Sequence, residues 1–193
     1  RGFIRGYEMQ ILSQGSAPLT AALGGSQGER VSWGAGHHRE FQERFGHIAG
    51  IIIMTEDLPE EHNRVTLDPE MTDSNGIPAA KIQYTISENT DKMLGHGVER
   101  AKEVMDAAGA KKVLWSHQRR NAGWHLLGTA RMGEDPATSV VDRWGRAHDV
   151  PNLFIIDGSI FVTGACVNPT PTIQALALRT ADYLKGEGRS ILE

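Results

Sequence analysis

Two side chains in the last third of the chain are of the right type to act on a hydroxyl group. His125 follows Trp124 and precedes Leu126-Leu127-Gly128-Thr129. An unperturbed imidazole titrates near ~6.5, so a histidine can take a proton from an alcohol at neutral pH. Gly128 and Thr129 are small enough to let a ligand approach the backbone. A histidine among apolar residues is also a common core residue, so His125 alone decides nothing. Asn168 precedes Pro169-Thr170-Pro171-Thr172 and an apolar helical pattern. A helix amino terminus offers free N–H groups and a partial positive charge, which suit a phosphate, a carboxylate or the electron-rich carbonyl edge of a ring. A neutral Asn there adds a donor and an acceptor without adding charge. The ordinary alternative is that Asn168 caps its helix.

Both residues need elements to hold them. Leu153 to Ile156 is a short apolar run that ends in Asp157-Gly158-Ser159. It predicts a strand buried on both faces, opening at its carboxyl end onto a site. The helix after Asn168 has Pro169 or Pro171 suited to its first turn. Ile173, Leu176, Ala177, Thr180, Ala181 and Leu184 form its predicted buried stripe. Lys185 suits the last turn, and Gly186 or Gly188 is placed to stop it.

Upstream, Tyr7, Met9 and Ile11 alternate like a strand, and Ile51 to Met54 reads as a buried one. Between Asn63 and Ser87, Val65 and Leu67, then Ile82, Tyr84 and Ile86, alternate with polar residues around the turn formers Asp68-Pro69, Asn75-Gly76 and Pro78. This predicts antiparallel sheet with one polar face. Asn89 or Thr90 can cap a helix whose stripe is Met93, Leu94, Val98, Ala101, Val104, Met105 and Ala108, with Gly109 placed to end it. Val113 to Trp115 predicts a short strand. The glycine-rich Gly15 to Phe41 stretch contains Gly34-x-Gly36, but Arg39 stands where a dinucleotide loop needs its third glycine and no apolar strand enters it. A loop or short helices is the expectation. His37, His38 and His47 lack the spacing and second-shell logic of a metal site, so no metal is expected.

The 193 residues suit one domain, or one and part of another, and with 39% hydrophobic and 23% charged residues they can bury a core. A net charge of -4 and the absence of any basic block beyond Arg119-Arg120 exclude an electrostatic case for nucleic acid. The one cysteine, Cys166, excludes an internal disulfide. No stretch has the roughly 18 apolar residues of a membrane helix, and the first residues do not resemble a signal peptide. The expectation is a soluble protein, cytoplasmic or periplasmic.

Taken together, "HLLGTARMG" (His125 to Gly133), "VVDRWGRAHDVPNLFIIDGS" (ending at Ser159) and "NPTPTIQALALRTADYL" (Asn168 to Leu184) come in order and at short spacing. They resemble the carboxyl-terminal region of the glucose–methanol–choline (GMC) oxidoreductases, which use FAD. The resemblance implies that His125 is the general base and that Asn168 is the second active-site position. Asp157 and Gly158 match the strand-end pair that contacts the ribityl-pyrophosphate region of FAD. Pro169 and Thr170, with Asn168, match the turn that meets the pyrimidine edge of the flavin. The implied reaction takes the proton of an alcohol substrate (a sugar, polyol or choline-like alcohol) onto His125 while a hydride leaves carbon for the flavin.

The implied fold is mixed α+β and α/β. Residues 1–120 would form most of an antiparallel-sheet substrate domain with helices. Residues 121–193 would carry the active-site motifs and the returning strand and helix of an FAD-binding α/β domain. That family's amino-terminal Gly-rich βαβ unit has no credible copy here. The chain therefore reads as the carboxyl-terminal part of a longer enzyme, expected to bind FAD poorly by itself. Two other readings stay open: a lyase on the same FAD scaffold with no net redox change, and an interaction domain with relic motifs. The electron acceptor and the particular alcohol are not readable.

Overall fold

The computed structural model describes residues 1–12, 18–23, 31, 33–115, 123 and 125–192, with the backbone alone at 19, 20, 23 and 188–192. Trp124 and Arg119-Arg120 lie outside these residues. In chain order the elements are β1 (Tyr7–Leu12), α1 (Pro18–Leu23), α2 (His37–Arg44), β2 (Gly50–Thr55), β3 (Arg64–Thr72), β4 (Pro78–Gln83), α3 (Glu88–Ala107), a 3₁₀ turn at Gly158–Ile160, and α4 (Thr170–Leu192). By contacts the chain forms two compact units: Arg1–Thr55 with Asn89–Arg120, and Glu56–Glu88 with Asn121–Glu193.

In the first unit the alternating Tyr7, Met9 and Ile11 pair antiparallel with Thr55, Ile53 and Ile51. Helix α3 lies against one face of this pair. A Cβ at Gly97 would stand 2.7 Å from Ile53 Cγ2 and 3.3 Å from Tyr7 Cε2, so the glycine permits the close approach. The Tyr7 hydroxyl and His96 Nδ1 are hydrogen-bonded at 2.8 Å. Thr90, Met93, Gly97, Val98 and Ala101 are the buried stripe of α3, whereas Val104 is exposed. Asn89 does not cap the helix. Its side chain accepts from Ile4 N–H at 2.9 Å and donates to the Ile4 carbonyl at 3.2 Å, tying down the amino-terminal segment. Gly109 does end the helix: its φ is 79°. Its N–H reaches the Asp106 carbonyl and that of Ala110 the Met105 carbonyl, both at 3.0 Å, which is a Schellman ending. Val113–Trp115 is not a strand. No neighbouring strand pairs with it among the described residues, and Lys102 Nζ sits 3.9 Å above the Trp115 ring instead. The Gly34–Gly36 stretch is a turn that opens α2, with His37 N–H bonded to the Gly34 carbonyl at 3.0 Å.

The second unit holds the β3–β4 hairpin, antiparallel with Val65 opposite Ile82. The Asp73 carboxylate closes the turn by accepting from Asn75 and Ile77 N–H, with Gly76 at φ 79°. Asp68-Pro69 makes a bulge rather than a turn, because Asp68 Oδ1 accepts from both Glu70 and Met71 N–H at 2.9 Å. The apolar face of the hairpin is open to solvent, with Leu67 70% and Ile82 61% exposed.

The core of this unit is Val141, Ala147 and Ile160, with Met132, Ile155, Phe161 and Leu176 packed around them. Helix α4 is seated on the 142–146 loop. Thr180 Oγ1 donates to the Trp144 carbonyl at 2.9 Å. The Trp144 and Tyr183 rings stack at 4.6 Å, and the Arg179 guanidinium lies 4.3 Å over Trp144. Gly186 and Gly188 do not stop α4, which continues to Leu192. A glycine weakens a helix by roughly 1 kcal/mol without having to end it. Leu153–Ile156 is not a buried strand. Phe154 forms a single bridge with Arg146, and Leu153 and Ile156 are 47% and 48% exposed. A strand buried on both faces needs neighbours on both sides, and Arg146 is its one bridge partner among the described residues.

Gly145 joins these pieces. Its φ is 76°, and a Cβ there would stand 2.5 Å from the Ile155 carbonyl oxygen. Gly145→Ala therefore combines left-handed strain with a clash against backbone. It should destabilise the second unit by about 2–4 kcal/mol. A urea midpoint equal to that of the parent protein would refute this.

Candidate active site

The second unit brings the segments that carry the candidate residues together through Leu127. A Cβ on Gly158 would lie 2.7 Å from Leu127 Cδ2 and 3.4 Å from Ile173 Cδ1, and one on Gly164 would lie 3.3 Å from Leu127 Cδ1. Leu127 thus sits two residues after His125, against the residue following Asp157 and beside the first turn of α4. A short ladder fixes the register. Gly128 N–H bonds to the Gly158 carbonyl at 3.2 Å, Ala130 N–H to Ser159 at 2.8 Å, and Met132 N–H to Ile160 at 2.9 Å. Gly128 has φ 81°, and a Cβ there would come within 3.0 Å of the Phe161 carbonyl, so its predicted closeness is to backbone.

Asn168 is exposed and stands just outside α4. Ile173 N–H bonds to the Pro169 carbonyl at 3.0 Å, which makes Pro169 the cap residue. Asn168 is one residue too early for the capping role. Thr170 is exposed and begins the helix, whose first turn contains no acidic side chain. The positive end of the helix is therefore not neutralised from within. His125 is exposed. Leu126, Val162 and Val167 are exposed as well.

Asp157 is engaged locally. Its carboxylate accepts from Ser159 N–H at 2.8 Å and caps the Gly158–Ile160 turn. The hydrogen bonds from the Ser159 side chain and backbone hold its pKa below the ordinary carboxylate value. Two further residues of this loop region, His148 and Asp142, are not among the candidates read from the sequence. Asp142 Oδ1 accepts from Trp144 and Arg146 N–H at 2.8 and 3.0 Å and so shapes the loop under α4. The Asp-x-Trp-Gly order is the signal for that turn.

An exposed asparagine before the helix, an un-neutralised helix amino terminus and exposed apolar side chains fit a planar ring with a polar carbonyl edge, so the residues present suit the FAD that the sequence resemblance implies. Among the described residues, no three His, Cys, Asp or Glu side chains converge as a metal site. None of the described helices is long and apolar enough to cross a membrane.

Because its folded pKa is depressed, Asp157 contributes stability that is full above the unfolded value of ~3.9 and is lost as pH falls through the folded value. Asp157→Ala should weaken folding by about 1 kcal/mol at pH 7. That difference should shrink below pH ~4. A deficit that stays constant down to pH ~3 would show that the carboxylate charge is not what matters.

A family model described as GMC oxidoreductase matches residues 59–177. The 2-methyl-1,2-propanediol dehydrogenase of Mycolicibacterium austroafricanum is 41% identical over 194 residues, covering all of this chain and 35% of that protein. The paromamine 6'-oxidase of Streptomyces fradiae is 39% identical over 132 residues, covering 68% of this chain and 24% of that protein. The gluconate 2-dehydrogenase flavoprotein of Pantoea cypripedii is 26% identical over 200 residues, covering 97% and 32%. The chain spans roughly a quarter to a third of the length of these relatives. The matched stretch takes in His125, Asp157, Gly158 and Asn168 together with the helix mouth that follows, and on that match the chain belongs to the GMC oxidoreductase family.

Proposed function

We propose that this chain is the part of an FAD-dependent oxidoreductase that supplies the acid–base residues for oxidising an alcohol carbon. The observation that carries the reading is the packing over Gly158, where both Leu127 and Ile173 stand, which gathers the His125 segment, the Asp157–Gly158 turn and the first turn of α4 within one unit. The relatives named for 2-methyl-1,2-propanediol, paromamine and gluconate support an alcohol-bearing substrate, with a small polyol or sugar as the class.

His125 takes the hydroxyl proton of the substrate. Such base catalysis is typically worth ~10²–10⁴-fold in rate. Asn168 donates a hydrogen bond to the oxygen as it gains charge and so holds the carbinol carbon in place. Bound FAD supplies the two-electron acceptor for the hydride that leaves that carbon, so the alcohol becomes a carbonyl. Pro169 and Thr170 would hold the cofactor edge, where the α4 terminus would supply partial positive charge. Gly158 would hold the ribityl-pyrophosphate part through its backbone, because the Asp157 carboxylate is already held by Ser159. In this reading residues 1–120 belong to the substrate domain, and the segment 121–193 returns to the FAD-binding domain with α4 as its helix.

The test uses the full-length protein loaded with FAD and mixed anaerobically with a panel of diols, polyols and sugars, 2-methyl-1,2-propanediol among them. Bleaching of the flavin bands by one class is expected. His125→Ala should keep its flavin and lower the limiting rate of bleaching by about 10²–10⁴-fold. A variant that bleaches at the parent rate would remove His125 from the role of base, and flavin bands that no alcohol bleaches would count against alcohol oxidation.

A further inference from the structure

His148, Ser139, Gly133 and Asp135 form a polar cluster that the mechanism above does not use. Ser139 Oγ is 2.6 Å from the Asp135 carbonyl oxygen and 3.0 Å from His148 Nε2. The same nitrogen is 3.2 Å from the Gly133 carbonyl oxygen. A serine hydroxyl has one proton, and a carbonyl only accepts. Ser139 therefore donates to Asp135 and accepts from His148. It follows that Nε2 carries a proton, shared between Ser139 Oγ and the Gly133 carbonyl. This arrangement exists in the Nε2–H tautomer of the neutral ring and in the charged ring alike. Gly133 makes room for it, since a Cβ there would meet Ser139 Cβ at 2.8 Å and Oγ at 3.0 Å.

Gly133 ends the segment that begins at His125. Its N–H bonds to the Val141 carbonyl at 2.8 Å, the Arg131 carbonyl accepts from Val140 N–H at 3.0 Å, and His148 N–H bonds to the Val140 carbonyl at 3.1 Å. The imidazole thus locks one end of a ladder whose other end, through Met132, Ala130 and Gly128, runs beside Gly158. We propose that His148 is a positioning residue. Acting through the Gly133 carbonyl and the Ser139 hydroxyl, it fixes the register of the His125-bearing segment against the Asp157–Gly158 turn. The kinetic consequence rests on the proposed alcohol oxidation; the structural consequence does not.

The experiment uses the full-length FAD-loaded protein, with 2-methyl-1,2-propanediol as the reductant, and compares the parent with His148→Ala, His148→Gln and Gly133→Ala. Two readouts are taken: the limiting rate and half-saturating concentration of anaerobic flavin reduction, and amide hydrogen exchange at Ala130 and Met132. For His148→Ala the limiting rate should fall about 10- to 100-fold, with half-saturation changed less than about twofold. Exchange at the two amides should rise about tenfold. His148→Gln keeps an N–H donor for the same acceptors and should restore most of both. Unchanged exchange in His148→Ala, or loosened exchange with an unchanged limiting rate, would overturn the proposal. If His148→Ala does not fold, the Gly133→Ala variant, which displaces Ser139, is read by the same criteria. If the parent protein is reduced by no alcohol, it is the oxidoreductase reading that fails. Exchange alone then decides the clasp: a tenfold rise upholds it and no change refutes it.

Discussion

Leu127 is held where there is no room for a larger neighbour. Two glycines, Gly158 and Gly164, leave the gaps its methyl groups fill, and Ile173 also stands over Gly158. Each such atom pair contributes only ~0.1–0.2 kcal/mol, so the position comes from many contacts and from the missing Cβ atoms together. Polar ladders run alongside, but between residues 128–132 and 158–160 they tie only two of the three segments. It is the apolar packing over Gly158 that reaches Ile173 in the first turn of α4.

The rest of this unit has little regular structure between Gly128 and Asn168, and aspartates take over the task of satisfying backbone N–H groups. Asp68, Asp73, Asp135, Asp142 and Asp157 each accept from N–H groups two to four residues ahead. Short carboxylate side chains do this well because they mimic a backbone turn. Part of the acidic balance of the chain is therefore structural.

Features that depend on near neighbours were legible in the sequence. The Met93, Val98 and Ala101 part of the α3 stripe, its Gly109 ending and the Asn75-Gly76 turn all rest on local periodicity or on a residue that tolerates positive φ. The misreadings share a different cause. Leu153–Ile156 and Val113–Trp115 have the composition of strands, but a strand exists only where another pairs with it, and composition does not report that. Asn168 has the right type for a cap and misses by one position, since Pro169 supplies the first helical carbonyl. Of the candidate residues, the meeting of the three segments was legible only through the order of the motifs. The partners that Ser139 and His148 find in Gly133 and Asp135 were not legible, because they depend on how a loop closes.

The two prolines at the mouth of α4 do more than stiffen it. Pro169 and Pro171 have no N–H, and the N–H of Ile173 is already committed to the Pro169 carbonyl. The first turn therefore offers just the N–H groups of Thr170 and Thr172, where an ordinary helix start would present four. A tetrahedral oxyanion such as phosphate gains from a dense cluster of donors, and this terminus has been thinned out. A flat acceptor edge needs only one or two donors in line. By subtracting hydrogens from the backbone, the sequence biases the helix mouth against the commonest anions in a cell while keeping its dipole.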